Sequence, residues 1–119
     1  VDPLRPEGQV DLSRNLQIAT AFIDSSALCL FVAFAILDIP EGLTGIIEMC
    51  NARYGWNKSL DEYLEMGKQV LRDERAFNRA AGIGDAADDL PDFFRSEPLP
   101  PHNTVFDVKK EEMATVFNF

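Results

Sequence analysis

With 119 residues and 46% hydrophobic side chains, the chain is one domain's worth and needs neither disulfides nor a structural metal to build a core. Eleven basic against twenty acidic residues leave a net charge of −9. That surface repels phosphate backbones and anionic headgroups, which argues against nucleic-acid and membrane partners.

The first nine residues, with Pro3, Pro6 and Gly8, read as a linker. They show no basic, apolar, small-residue order of a leader, and the start at Val-Asp-Pro reads as the beginning of an excised or processed piece. A first helix is expected from about Asp11 or Ser13, with Leu12, Leu16, Ala19 and Ile23 as its buried stripe. The polar triplet Asp24-Ser25-Ser26 interrupts the apolar pattern. The run resumes over Ala27–Leu37, far short of the about 20 residues that span a bilayer, so Leu28 to Leu37 reads as a short helix buried on nearly all sides.

Pro40 suits the first turn of a third helix, with Leu43, Ile46, Ile47 and Cys50 on one face and an end near Gly55. Ser59-Leu-Asp-Glu62 is a capping box. The helix behind it carries the cleanest periodicity, through Leu60, Tyr63, Leu64, Gly67, Val70, Leu71 and Phe77, and should stop at Gly82 or Gly84. Residues 85–105 form a Pro- and acid-rich loop with one short helical turn, and Asp107 is placed to cap a last helix through Phe117. No alternation is long enough for a sheet. The expectation is a single all-α domain, an irregular bundle of four to six helices.

Chemistry-bearing residues are few. The single histidine, His102, lies in the Pro-rich loop, where a solvated imidazole is the simpler reading. Cys29 and Cys50 lack zinc-ligand spacing and read as reduced, buried thiols in a cytoplasmic protein. Asp85, Asp88 and Asp89 lack the ligand order of a calcium loop. Asp24-Ser-Ser-Ala-Leu-Cys29 stands apart, because it sets a carboxylate, two hydroxyls and a thiol between apolar stretches. Burying a charge alone is costly, so Asp24 faces solvent, caps the following helix with Ser25 or Ser26, or meets a polar ligand.

These residues resemble the aldehyde:ferredoxin oxidoreductase family, which carries Asp-x-x-Gly-Leu-Cys in its last domain. Further matches are Gly55-Trp56, Glu74-Arg-Ala-Phe-Asn78, Leu90-Pro91 with Phe93-Phe94, and Glu97-Pro-Leu-Pro100. The ordered set spans about residues 16 to 101.

The resemblance implies the all-α C-terminal domain of a tungsten enzyme with two pterin dithiolenes and a [4Fe–4S] cluster. It gives Asp24 a hydrogen bond to a pterin, sets Ala27 and Leu28 against the same pterin, and makes Cys29 one of four cluster thiolates. Iron–sulfur iron requires thiolate, and a carboxylate accepts paired N–H bonds from an amino-pyrimidine edge. The implied reaction oxidises an aldehyde with water to a carboxylic acid and passes electrons to ferredoxin. Partners are then the other domains of the parent, the aldehyde and ferredoxin.

The chain departs from the pattern at three places. Ala27 stands where the family has Gly, and would be strained if that position has a positive φ. Ala80 stands in place of an Arg, and paired tyrosines are missing near the end. The other three cluster cysteines belong to an earlier domain, so this piece by itself is expected to be metal-free and inactive. Separated from its parent, it should leave an apolar patch uncovered, cover it by forming a homodimer, or refold locally. The competing reading is a helical interaction or regulatory module without cofactor.

Overall fold

A computed structural model describes the backbone of all 119 residues and every side chain except that of Leu37. The elements in order are α1 (Gln9–Ser25), α2 (Val32–Asp38), α3 (Pro40–Tyr54), α4 (Leu60–Ala80), a 3₁₀ turn (Asp85–Ala87), α5 (Phe93–Ser96) and α6 (Lys110–Met113). The chain is all-α. Among the described residues its only β pairing is a single antiparallel bridge between Leu99 and Thr104. None of these helices is long and apolar enough to cross a membrane.

The chain divides into two compact units, one of residues 16–75 and the other of residues 1–15 with 76–119. The first holds the main core. Phe22, Ile23, Ile36, Ile46 and Tyr63 are buried together, with Leu28, Ala33, Leu43, Ile47, Cys50 and Met66 packed around them. The α3 face is therefore as its spacing predicts.

The face of α1 is not. Leu12 and Leu16 are exposed, while Ile18, Phe22 and Ile23 are buried. Apolar residues lie on more than one arc of this helix, and packing against α4 selects the arc. Phe22 meets Tyr63 with ring centroids 5.2 Å apart. Gly67 lets the α4 backbone come up to that of α1 at Ile18. On α4, Tyr63 and Gly67 are buried, but Leu60 and Phe77, at the ends of the predicted stripe, are exposed.

The ends of these elements follow local chemistry. The capping box forms: Ser59 N–H donates to Glu62 Oε2 at 2.8 Å, and Glu62 N–H to Ser59 Oγ at 3.3 Å. The bond from the Ser59 amide is the main reason the Glu62 carboxyl sits below its ordinary pKa. Asn51 pins the loop before the box, accepting the Lys58 N–H at 3.0 Å and donating to the Lys58 carbonyl at 2.9 Å.

The second unit is held by arginines. Arg95 donates to the Val108 carbonyl at 2.9 Å, contacts Met113 Sδ at 3.3 Å and lies over the Phe106 ring. Asp89 pairs with Lys110 and stands 3.6 Å from Arg95. The Lys110 bond, chiefly, holds its carboxyl below the usual range. Arg14 donates to the carbonyls of Val116 at 3.0 Å and Thr115 at 2.7 Å. The predicted last helix through Phe117 is only one turn, and Lys109, not Asp107, occupies its N-cap position.

Candidate functional site

The segment from Asp24 to Cys29 is the C-terminal stop of α1 and the path to α2. Ala27 N–H donates to the Asp24 carbonyl at 3.1 Å, and Leu28 N–H reaches the Ile23 carbonyl at 3.4 Å. These are the two bonds of a Schellman motif, which needs a left-handed residue between the last helical turn and the exit. Ala27 fills that position with φ 58°. Leu28, the next residue, packs on the cluster that contains Ile23 and so anchors the turn.

The longer of these bonds, from the residue after the left-handed position to the carbonyl five residues back, also closes two other helices, each with a glycine at the left-handed place. After α3, Trp56 N–H donates to the Asn51 carbonyl at 2.9 Å beside Gly55, φ 67°. After α4, Ile83 N–H donates to the Asn78 carbonyl at 2.9 Å beside Gly82, φ 85°. The positive φ at Ala27 thus explains why glycine suits the position. It also shows that the alanine keeps the turn.

The polar triplet does not cap α2. Because α1 runs through Ser25, Asp24 and Ser25 belong to its last turn and Ser26 follows it directly. Ser25 Oγ donates to the Ala21 carbonyl at 2.7 Å and Ser26 Oγ to that of Phe22 at 2.9 Å. The N-cap position of α2 is Phe31, which makes no side-chain cap bond. Asp24 is left exposed, without a side-chain hydrogen bond or ion pair among the described residues.

Cys29 is an exposed free thiol, not the buried one its apolar neighbours suggest, whereas Cys50 is half-buried beside the core. The Cys29 carbonyl accepts the Val32 N–H at 2.9 Å, and that of Leu30 accepts the Ala33 N–H at 2.9 Å. These two turns lead into α2 and fix the backbone at the thiol. The apolar run behind Cys29 also departs from expectation. Ile36 is buried, but Phe31 and Phe34 are 80% and 70% exposed, and Leu30, Val32 and Ile39 are exposed with them. A helix of seven residues offers the core only a narrow face, so the remaining apolar side chains of the run point outward.

The donor set has a definite chemical sense. The N–H groups of Ala27 and Leu28 are used inside the turn, so the segment offers acceptors: the Asp24 carboxylate and backbone carbonyls. That suits a ligand edge rich in N–H donors. The thiol beside it suits a soft metal. One thiol is not a metal site by itself, and among the described residues no three His, Cys, Asp or Glu groups are arranged to hold an ion.

A family model described as aldehyde ferredoxin oxidoreductase, domains 2 and 3, matches residues 1–117. The chain belongs to the aldehyde ferredoxin oxidoreductase family. Over 85 residues, 71% of the chain, it is 40% identical to a tungsten-containing aldehyde ferredoxin oxidoreductase of Pyrococcus furiosus. The proteins of that name from Pyrococcus horikoshii and Thermococcus kodakarensis are each 39% identical over the same share. The chain spans 13% of the length of each of these relatives. No solved structure is significantly similar to it.

Proposed function

We propose that this chain forms the helical C-terminal part of a ferredoxin-linked, aldehyde-oxidising enzyme and supplies one wall of its cofactor site. Asp24 accepts hydrogen bonds from a pterin, carbonyls and apolar surface around Ala27 and Leu28 lie against it, and Cys29 supplies one thiolate to a [4Fe–4S] cluster. The observation that carries this reading is an exposed, unpartnered carboxylate and an exposed thiol five residues apart, on consecutive hydrogen-bonded turns. When bound, the tungsten–pterin group and cluster supply the oxidation of an aldehyde to a carboxylic acid and carry its electrons toward ferredoxin. The chain's own residues orient the groups. The Schellman turn holds Asp24 at a helix end, and the turns into α2 hold Cys29, so neither must be ordered when the cofactors bind.

Three further thiolates are needed, and they must come from another part of the parent enzyme. The resemblance supports this, as does the small share of the relatives that the chain spans. An exposed thiol destined for a cluster also fits a reducing compartment such as the cytoplasm. The alanine at position 27 gives no reason to read the chain as a module that lost its chemistry, since the turn persists with it.

The test is Cys29→Ala in the intact enzyme, read by iron content and by the electron paramagnetic resonance signal of the reduced cluster. Loss of cluster iron with the protein still folded supports the assignment. A full complement of iron and an unchanged signal would refute it. Asp24→Ala should lower the pterin content of the purified enzyme, while a control at the solvated Asp61 should not.

A further inference from the structure

We infer that Arg53, Tyr54, Trp56 and Lys58 form the surface on which the electron-accepting protein docks, and that the face it presents there is acidic. This rests on the ferredoxin-linked reading made above and adds to it where the acceptor binds and by what chemistry.

Three observations carry the inference. First, the four side chains form one exposed aromatic and cationic cluster. The Tyr54 and Trp56 rings are stacked with centroids 4.7 Å apart. The Arg53 guanidinium carbon lies 5.7 Å from the Tyr54 centroid, and the Lys58 ammonium lies 5.3 Å from that of Trp56. The rings keep 60% and 41% of their surface exposed. Trp, Tyr and Arg are the residues in which binding energy concentrates at protein interfaces.

Second, the positive charge here is not paired off, in a chain whose net charge is −9. Most of its basic residues stand beside a carboxylate, as Arg72 does with Glu65 at 2.7 Å and Arg79 with Asp85 at 3.2 Å. Among the described residues no carboxylate lies within 4.0 Å of Arg53 or Lys58, and aromatic rings hold these two cations instead. Glu62 feels the charge of Lys58, but its carboxylate is turned to the Ser59 amide and hydroxyl. Two such cations attract a carboxylate-bearing partner and repel a basic one.

Third, the cluster is preorganised. Arg53 and Tyr54 end α3, Gly55 turns the chain, and Asn51 binds the Trp56 N–H and both backbone groups of Lys58. Little ordering is left for the moment of binding. The same Asn51 accepts from the Tyr63 hydroxyl at 2.9 Å, the Tyr63 ring lies 5.2 Å from that of Phe22, and the Phe22 carbonyl accepts the Ser26 N–H at 3.0 Å. An unbroken run of contacts within the unit of residues 16–75 thus joins the cluster to the Asp24–Cys29 segment.

The size and polarity of the surface decide the kind of partner. A permanent contact with another part of the enzyme is large, and apolar at its centre. Four side chains carrying two free charges fit a small, charge-steered contact instead. An electron carrier needs such a contact, because it must bind and leave in every turnover.

The experiment uses the intact enzyme with Arg53→Gln, Lys58→Gln and the double variant. The controls are Arg53→Lys and Lys58→Arg, which keep the charge, and Lys109→Gln, which removes a charge from the other unit. Aldehyde-dependent reduction is followed with ferredoxin and with methyl viologen, a small acceptor that needs no docking surface. At low salt the double variant should raise KM for ferredoxin roughly fivefold or more with kcat little changed, and the gap should close as salt screens the charges. Its viologen kinetics, and the ferredoxin kinetics of all three controls, should match the parent. An unchanged KM for ferredoxin overturns the inference. So does an equal loss with both acceptors or a lowered melting temperature, which would make the cluster a contact with another part of the enzyme. A parent that reduces viologen but not ferredoxin sinks the ferredoxin-linked reading, and this surface with it. A parent that reduces ferredoxin, with a double variant that does so equally well, sinks the surface alone.

Discussion

Gly67 of α4 lies against the backbone of Ile18 on α1 with no room for a side chain. A Cβ there would overlap the Ile18 carbonyl oxygen and sit 3.3 Å from both the Ile18 carbonyl carbon and the Phe22 nitrogen. All of these are backbone atoms in a packed helix, so none can swing aside. Gly67→Ala should therefore destabilise the chain by about 2 kcal/mol, against the about 1 kcal/mol that alanine gains in helix propensity. Gly45→Ala is the matched control. Gly45 lies in α3, and a Cβ added there would meet no atom within 4 Å, so the propensity term should act alone and stabilise by about 0.5–1 kcal/mol. Urea unfolding of the two variants reads both signs, and a stabilised Gly67→Ala would contradict the close approach.

What was legible in the sequence divides by range. The Ser59–Glu62 box and the stops at Gly55 and Gly82 are fixed by residues within six positions of one another, and they form as their chemistry requires. The fold class and the α3 face were legible for the same reason. The arc of α1 was not, because Leu12 and Leu16 match a helical stripe as well as Ile18 and Phe22 do, and Tyr63 and Gly67 decide between them from some forty residues away. Likewise, the run after Cys29 reads as core by composition. Exposure of Phe31 and Phe34 depends on how much surface the rest of the core has to offer. The candidate site was legible as a motif. Its conformation, with Asp24 and Ser25 inside the last turn of α1 and Ser26 bonded back onto it, was not.

Asn51 joins three groups that would otherwise need water. Its Oδ1 accepts from the Lys58 N–H at 3.0 Å and from the Tyr63 hydroxyl at 2.9 Å, and its Nδ2 donates to the Lys58 carbonyl. Tyr63 is only 1% exposed, and burial pushes its phenol above its ordinary pKa. Asn51→Ala leaves a buried hydroxyl and two half-buried backbone groups unpaired, and should cost about 1–3 kcal/mol in denaturant unfolding. Asn51→Asp keeps the acceptor and loses the donor, and should fall between. Tyr63→Phe removes one bond and strands no buried donor, so its loss should be smaller than that of Asn51→Ala. The reverse order would show that the hydroxyl, not the loop clasp, matters.

The capping box makes stability depend on pH. In the folded chain the Glu62 carboxyl is lowered by the bond from the Ser59 amide, then by the Ser59 hydroxyl. A group with a lowered folded pKa contributes above its unfolded value, about 4.3 for glutamate, and the contribution disappears as pH falls through the folded value. Glu62→Gln retains an acceptor for Ser59 but cannot titrate. The parent should therefore exceed the variant at neutral pH and converge with it in acid, below the ordinary glutamate range. A pH-independent difference in melting temperature would assign the effect to something other than the carboxylate.

The candidate site itself gives the last prediction, through Ala27. Its φ of 58° is the left-handed conformation, which costs a residue with a Cβ about 1–2 kcal/mol. Glycine avoids that cost but enters with more freedom in the unfolded chain, worth about 0.5–1 kcal/mol against it. The difference favours Ala27→Gly by about 0.5–1 kcal/mol, measured by urea unfolding. Ala27→Val should move the other way, because a branched Cβ is worse still in that region. The same pair of variants tests whether the turn is only a helix stop. In the intact enzyme, glycine preserves the two bonds that place Asp24 and Leu28, so cluster and pterin contents should be unchanged. Valine strains the turn between Asp24 and Cys29, so both contents should fall together. If valine lowers stability but leaves cofactor content intact, the turn is structural, and the placement of Asp24 and Cys29 does not depend on it.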